Sequence, residues 1–294
     1  MRLINQQLAP GTVAVLKLAP FGLLVVTYLV GSALRLAHNP GDKLLPSLVT
    51  MADTINQMAF APDKRTGDYL FWADTLASLA RLAWGLGLSA VLALVLGIGV
   101  GMLALMRALL APFVGFVSMV PPLALLPILF IVLGLGETAK IALIVIGVAP
   151  IMTRDLAQHV QALPREQIVK AQTLAAGTWL IALRVVLPQA LPRLLTSLRL
   201  QLGPAFLFLI AAEAISSDSG LGFRIFLVRR YLAMDVIFPY VAWITLLSAL
   251  ADFGLNWLRR RVFPWSELRG YDCPVDRKGL EGIRRPDRAG EYLD

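Results

Sequence analysis

Leu79–Met106 reads LARLAWGLGLSAVLALVLGIGVGMLALM. Its length and apolar character exceed the roughly 20 residues that a helix needs to cross a bilayer core, so the run is read as a membrane span. Working outward from it, five further runs have the same character: Pro20–Leu36, Ala111–Leu135, Ile141–Thr153, Leu200–Ser216 and Val236–Trp257. Ile141–Thr153 is short by itself and must take length from Glu137–Lys140 or from Arg154–Asp155. The whole chain agrees with this reading: 57% of its 294 residues are apolar, 16% are charged, and the mean hydropathy is +0.71. A soluble domain could not bury that much apolar surface. The expected fold is all-α and polytopic, with about six transmembrane helices.

Charge fixes the expected orientation. With six spans both ends lie on one side, and that side carries 18 of the 27 Lys and Arg residues. The other 9 are Arg35, Lys43, Lys64, Arg65, Arg81, Lys140, Arg224, Arg229 and Arg230. Excess positive charge marks the cytosolic side, so both termini are expected there, in an inner membrane. The Arg229–Arg230 pair breaks the rule and reads either as a substrate-facing pair or as solvated arginines on a surface helix. The net charge of +8 does not indicate nucleic acid, because the basic residues form no stripe with stacking aromatics. The N-terminus lacks a small-residue cleavage site after a short apolar core, so the first apolar segment is expected to stay as an anchor.

The expected division is a cytoplasmic segment over 1–19, a transmembrane domain over 20–265 and a polar cytoplasmic tail over 266–294. An outer loop over 38–74 contains turn-rich NPGDK and APDKRTGD, and between them Ser47 precedes Leu48, Met51, Ile55 and Met58. That spacing predicts a short capped helix on the membrane face. Gly97 and Gly101 are spaced for close helix approach. Pro112, Pro121, Pro122 and Pro127 interrupt the third span, which places SMVPPLALLPILF at the protein interior, along a pathway or at a packing kink.

Little in the sequence supports chemistry. Cys273 is the only cysteine, so one chain builds neither a disulfide nor a Cys-based metal site. His38 and His159 fall on opposite sides of the membrane, no P-loop sequence occurs, and the spans are not dense in carboxylates. A stand-alone secondary transporter or channel would call for inverted repeats and midplane ionisable residues. A membrane enzyme would need His, Asp or Glu clustered at one face. Neither pattern is visible.

Between the fourth and fifth spans, over about 154–199, lies PREQIVKAQTLAAGTWLIALRVVLPQALPRLLTSLR, which begins at Pro164. Ile168, Ala171 and Leu174 recur at threes after Pro164, a favoured first-turn residue. Ala175–Thr178 can turn, and Trp179, Ala182, Leu183 and Val186 continue an apolar stripe until Pro188 ends it. A helix–turn–helix with one apolar stripe and exposed cations reads as a docking element; a surface-lying amphipathic hairpin is the alternative.

This segment resembles the cytoplasmic loop of binding-protein-dependent importer permeases, whose pattern runs Glu-Ala-Ala, three residues, Gly, then about a dozen residues to Leu-Pro. Glu166, Thr173, Leu174, Trp179, Arg184 and Pro188 match the loop; Val169, Lys170 and Ala175 stand where the family has Glu, Ala and Gly, while Ala171 is retained. TLASLAR at 75–81, VPPLALLPILFIVLGLGETAK at 120–140, AAEAISSDSGLGF at 211–223 and LRRRVFPW at 258–265 are similar, in order, to the nitrate, sulfonate and taurine branch. The resemblance implies a type I ABC importer permease with no cofactor of its own. ATP and Mg would sit on two copies of a P-loop ATPase, a periplasmic solute-binding protein would deliver a small polar solute, and a second permease copy would complete a homodimer. Within this reading Glu213 and Ser216, with Pro121 and Pro122, are expected to border the pathway or its gate, and Asp252 to be paired inside the protein.

Overall fold

The computed structural model describes residues 10–39, 43–62, 67 and 69–266. Cys273 and the rest of the expected tail beyond Ser266, the first nine residues and much of the two turn-rich stretches lie outside them. Among the described residues the chain is helical throughout: α1 (Pro10–His38), α2 (Leu48–Phe60), α3 (Leu70–Met102), α4 (Ala104–Val117), α5 (Leu126–Leu133), α6 (Glu137–Gln161), α7 (Arg165–Thr173), α8 (Thr178–Ile181), α9 (Leu187–Ile215), α10 (Leu221–Arg229) and α11 (Met234–Val262). Five helical stretches are long and apolar enough to cross a membrane, or six if the bent α4–α5 pair is one span.

The centre is the α3–α6 pair. Gly85, Ser89, Ala93, Gly97 and Gly101 recur every four residues on α3 and are all buried. They meet Ile144, Val148, Met152, Leu156 and Val160, an equally regular ridge on α6, also buried. A Cβ on Gly85, Gly97 or Gly101 would come within 2.7, 2.9 and 2.6 Å of Ile144, Leu156 and Val160 respectively. Small residues let two backbones approach this closely, and van der Waals contact then holds them together in lipid. Gly147, on the other side of α6, lies against the Phe208 ring of α9 in the same way.

Several boundaries differ from expectation. α1 begins at Pro10 rather than Pro20, α6 takes length at both ends, and α11 runs on through the Arg259–Arg261 cluster. The third span is not one helix: α4 and the Pro122–Leu133 stretch meet at 83°. Pro121 and Pro122 supply no backbone donors there, and the Ser118 hydroxyl turns back to donate to the Gly115 carbonyl at 2.8 Å. Arg107 belongs to α4, and its guanidinium donates to the Val100 and Gly101 carbonyls at the end of α3.

Pro188 does not end its helix either. A π-helical turn over Ala182–Val186 precedes it, with Leu187 N–H reaching Ala182, and helix then runs from Thr178 to Ile215 as one stretch. The wider turn absorbs the donor that proline lacks and its clash with the preceding carbonyl. Ser47 caps α2 as its spacing predicts, accepting from Thr50 N–H at 3.1 Å.

Candidate functional site

Two constellations stand at opposite ends of α9. At its start is the hairpin. α7 opens with Glu166 in its first turn and closes with Lys170 in its last, both favourable to the helix dipole. The reversal passes through Ala175 at φ +56°, a left-handed conformation that suits glycine. Ala175 N–H donates to Gln172 at 2.9 Å and Ala176 N–H to Ala171 at 3.1 Å, which satisfies carbonyls at the end of α7. Gln189 of α9 donates to the Gln167 side chain at 2.9 Å and ties the arms together.

The expected single stripe divides between two directions. Ala171 and Ala176 pack against the protein's own core, and Ile181 and Val186 are buried. Leu174 at 83% exposure and Trp179 at 76% point away from it, with Val169, Leu180 and Leu183 also exposed. Glu166, Lys170, Thr173 and Arg184 are exposed around this apolar ridge, while Pro188 is half-buried. The hairpin is thus fastened to its own bundle on one side and leaves an apolar ridge exposed on the other.

At the far end of α9 lies a cluster of charges, most of them buried, with Glu137 at its exposed edge. Glu213 is fully buried; its carboxylate accepts from Ser78 at 2.8 Å, from Arg81 at 2.7 Å and from Gly222 N–H at 2.9 Å. Arg81 also bonds to both oxygens of Glu137 and to the Ser219 carbonyl at 2.8 Å. Lys140 donates to Glu137 at 2.9 Å and to Ser217 at 3.0 Å. Asp74 accepts from Gly220 N–H at 2.9 Å, from Arg224 at 2.8 Å and from Tyr240 at 3.3 Å. Three cations thus face three carboxylates, and α3, α6, α9 and α10 are joined through them. Arg224, on the short helix outside the spans, titrates above its ordinary value: burial alone would lower it, and Asp74 more than offsets that.

The Ser219–Gly222 segment closes over this cluster as a clasp. Its backbone N–H groups at Gly220, Leu221 and Gly222 donate in succession to Asp74, Ser78 and Glu213. A Cβ on Gly220 would lie 2.6 Å from the Glu213 carboxyl carbon, and one on Gly222 would lie 2.7 Å from the Ile210 carbonyl oxygen. Ser216 donates to the Leu135 carbonyl at 2.7 Å and so holds the end of α9 to the turn before α6. Pro121 and Pro122 belong to a different feature, the α4–α5 break.

Asp252 is paired, as expected, with Arg199 at 2.8 Å. Asp74, Ser78, Arg81 and Lys140 are the residues that sequence reading missed as a cluster. Their signal was Arg81 standing inside an apolar run. Among the described residues no three His, Cys, Asp or Glu side chains gather as a metal site.

Comparison with known proteins adds to this geometry. Residues 85–265 match the sequence model of the family described as binding-protein-dependent transport system inner membrane component. The match takes in the hairpin and the clasp but starts after Arg81. The taurine transport system permease protein TauC of Escherichia coli (strain K12) is 35% identical over 227 residues, which cover 77% of this chain and 79% of that protein. The bicarbonate transport system permease protein CmpB of Synechococcus elongatus is 34% identical over 195 residues, covering 66% and 69%. A chain of the MetNI methionine ABC transporter in an inward-facing conformation shares the fold, with a TM-score of 0.55 and 21% identity over 68% of this chain and 99% of that one.

Proposed function

Because the chain belongs to the family of binding-protein-dependent transport system inner membrane components, and is thus the permease subunit of an ABC importer, we propose a division of labour along α9. The hairpin over 164–186 takes mechanical work from a separate P-loop ATPase in the cytosol. The bundle end that holds Glu213 answers on the outer side, where a periplasmic binding protein delivers the solute. Two permease copies and two ATPase copies make the working unit.

The observation that supports this most is the exposed pair Leu174 and Trp179 on a hairpin otherwise fastened to its own bundle. Apolar side chains of this size are worth about 1.5–3 kcal/mol each when a partner buries them. Trp179 stands on the same continuous helical stretch as Glu213, and at about 1.5 Å per residue that stretch carries a push roughly 50 Å across the membrane. In this reading a push received at Trp179 reaches the clasp along the stretch, with the π turn over Ala182–Val186 and Pro192 and Pro204 as its points of bending.

TauC and CmpB are named for taurine and bicarbonate, both small and polar. The solute of this chain is proposed to be of that kind: a sulfonate-, nitrate- or bicarbonate-like anion, or a small nitrogenous compound such as guanidine. Thermal-shift screening of the cognate binding protein with both classes assigns it.

The coupling reading is tested by co-purifying the ATPase with Leu174→Asp and Trp179→Ala variants and measuring ATP-driven uptake in proteoliposomes. Loss of one buried anchor of about 2 kcal/mol corresponds to roughly a thirtyfold weaker association, and uptake falls with it. Wild-type ATPase binding and uptake in both variants would rule out the hairpin as the docking element. Ala171 is the poorer site for such a test, since it packs on the bundle itself.

A further inference from the structure

We propose that the cavity between α4 and α6, on the hairpin side of the bundle, binds a small oxoanion where the solute leaves the pathway. The proposal rests on the permease reading above and narrows its solute to the anionic class. The cavity has a volume of about 360 Å³. Arg154, Gln158 and Gln161 of α6 line one wall, Arg107 and Val114 of α4 the other, and Met119 joins them from the break between α4 and α5.

The fold leaves this space open for a local reason. The chain turns by 83° after α4, and no residue of α4 is buried, so α6 keeps a face that its neighbour does not cover. Arg154 and Gln158 stand two positions beyond Met152 and Leu156, on the side of α6 away from the ridge that packs on α3. Arg154 lies seven residues before the end of the helix at Gln161, about 10 Å into the span. A cation at such depth is costly against lipid and belongs beside a water-filled path.

Charge then selects what the cavity holds. Arg154 is exposed and makes no hydrogen bond or ion pair among the described residues. Its neighbour Asp155 turns the other way, to Arg193 of α9. Arg107 is half-buried and fixed in place: Nε donates to the Val100 carbonyl at 3.2 Å and Nη2 to the Gly101 carbonyl. Its Nη1 has no partner among the described residues, and the two carbonyls leave its charge uncompensated. No acidic residue lines the cavity. Guanidinium forks match paired oxygens of a carboxylate, sulfonate or nitrate, and the Gln158 and Gln161 amides offer further donors. A guanidine-like cation would meet two like charges and no carboxylate. Of the two solute classes left open above, the cavity therefore fits the anion.

The test is cysteine protection in the permease–ATPase complex reconstituted in nanodiscs. In a Cys273→Ser background, Gln158→Cys is labelled with a water-soluble maleimide in the presence of methanesulfonate, nitrate, guanidinium or chloride at equal ionic strength. Methanesulfonate and nitrate are expected to slow labelling about fivefold or more at saturation, and chloride and guanidinium to leave it unchanged. Adding Arg154→Gln should raise the concentration for half-protection about tenfold, as suits one lost charge-assisted bond. Arg154→Lys should keep part of the effect, and Arg229→Gln, at the other end of the bundle, all of it. Arg107 is the poorer choice, since it also holds the end of α3. Melting temperatures separate lost binding from lost folding. Protection by guanidinium in place of the anions would overturn the anionic class. No protection by either anion, or protection unchanged by Arg154→Gln, would overturn the site. Labelling blocked by phosphatidylglycerol but not by phosphatidylcholine nanodiscs would assign the cavity to a lipid headgroup instead, and labelling absent in both would show it closed; either overturns the proposal. ATP-driven uptake is measured alongside, so a failed site with intact uptake leaves the permease reading standing.

Discussion

Gly220 sits at φ +129° directly over Glu213, so a side chain there meets both an unfavourable backbone and a carboxyl carbon at 2.6 Å. Such a backbone costs about 1–3 kcal/mol for a residue other than glycine, and the clash opens the clasp as well. Gly220→Ala should therefore lower the melting temperature in detergent sharply, whereas Gly177→Ala, with φ −68° and open space around it, should leave it unchanged. Ala175 presents the opposite case: at φ +56° it is a non-glycine residue held left-handed, and Ala175→Gly should gain about 1 kcal/mol. The family pattern has glycine at that position, and the reason was legible only once the turn was seen. Arg81, Lys140 and Asp74 were legible as charges but not as partners, because Arg81 meets Glu213 across 132 positions of sequence. A buried carboxylate held by three donors is stabilised by all of them together, and removing one side of such a pair costs about 3–5 kcal/mol.

Helices were the most legible level. Apolar length pointed to each of the five long helical stretches and to the bent α4–α5 pair, though it left α6 short and did not show the 83° break; the Gly97–Gly101 spacing pointed to close packing, although the partner ridge on α6 could not be named from α3 alone. Gly101→Leu should force α3 away from Val160 and the Ala157 carbonyl, at a cost of about 1–3 kcal/mol read as a lower melting temperature. Gly87→Leu, with nothing near its Cβ, is the matched control. Prolines were the least legible. Pro121 and Pro122 break a span by 83°, while Pro188, with a π turn before it, and Pro204 ride inside one continuous helical stretch. A proline removes one hydrogen bond wherever it falls; whether the helix stops depends on what neighbouring turns can absorb, and that is a property of packing.

At the scale of the whole molecule, α9 joins the hairpin, with its exposed Leu174 and Trp179, to a set of ion-paired charges at the other end. Positive-inside counting treated Arg81, Lys140 and Arg224 as outer-loop charges, yet Arg81 and Lys140 are buried, Arg224 is nearly so, and all three are ion-paired. The fold follows from apolar length and small-residue spacing, both local signals, and the clasp from contacts between distant segments, which one sequence does not display. The proposed coupling to an ATPase rests on where the hairpin faces. In a Cys273→Ser background, Leu174→Cys should react with a membrane-impermeant maleimide in inverted membrane vesicles, stay unlabelled in intact cells, and be shielded when the ATPase is bound. Labelling from outside intact cells, or no shielding by the ATPase, would contradict the account.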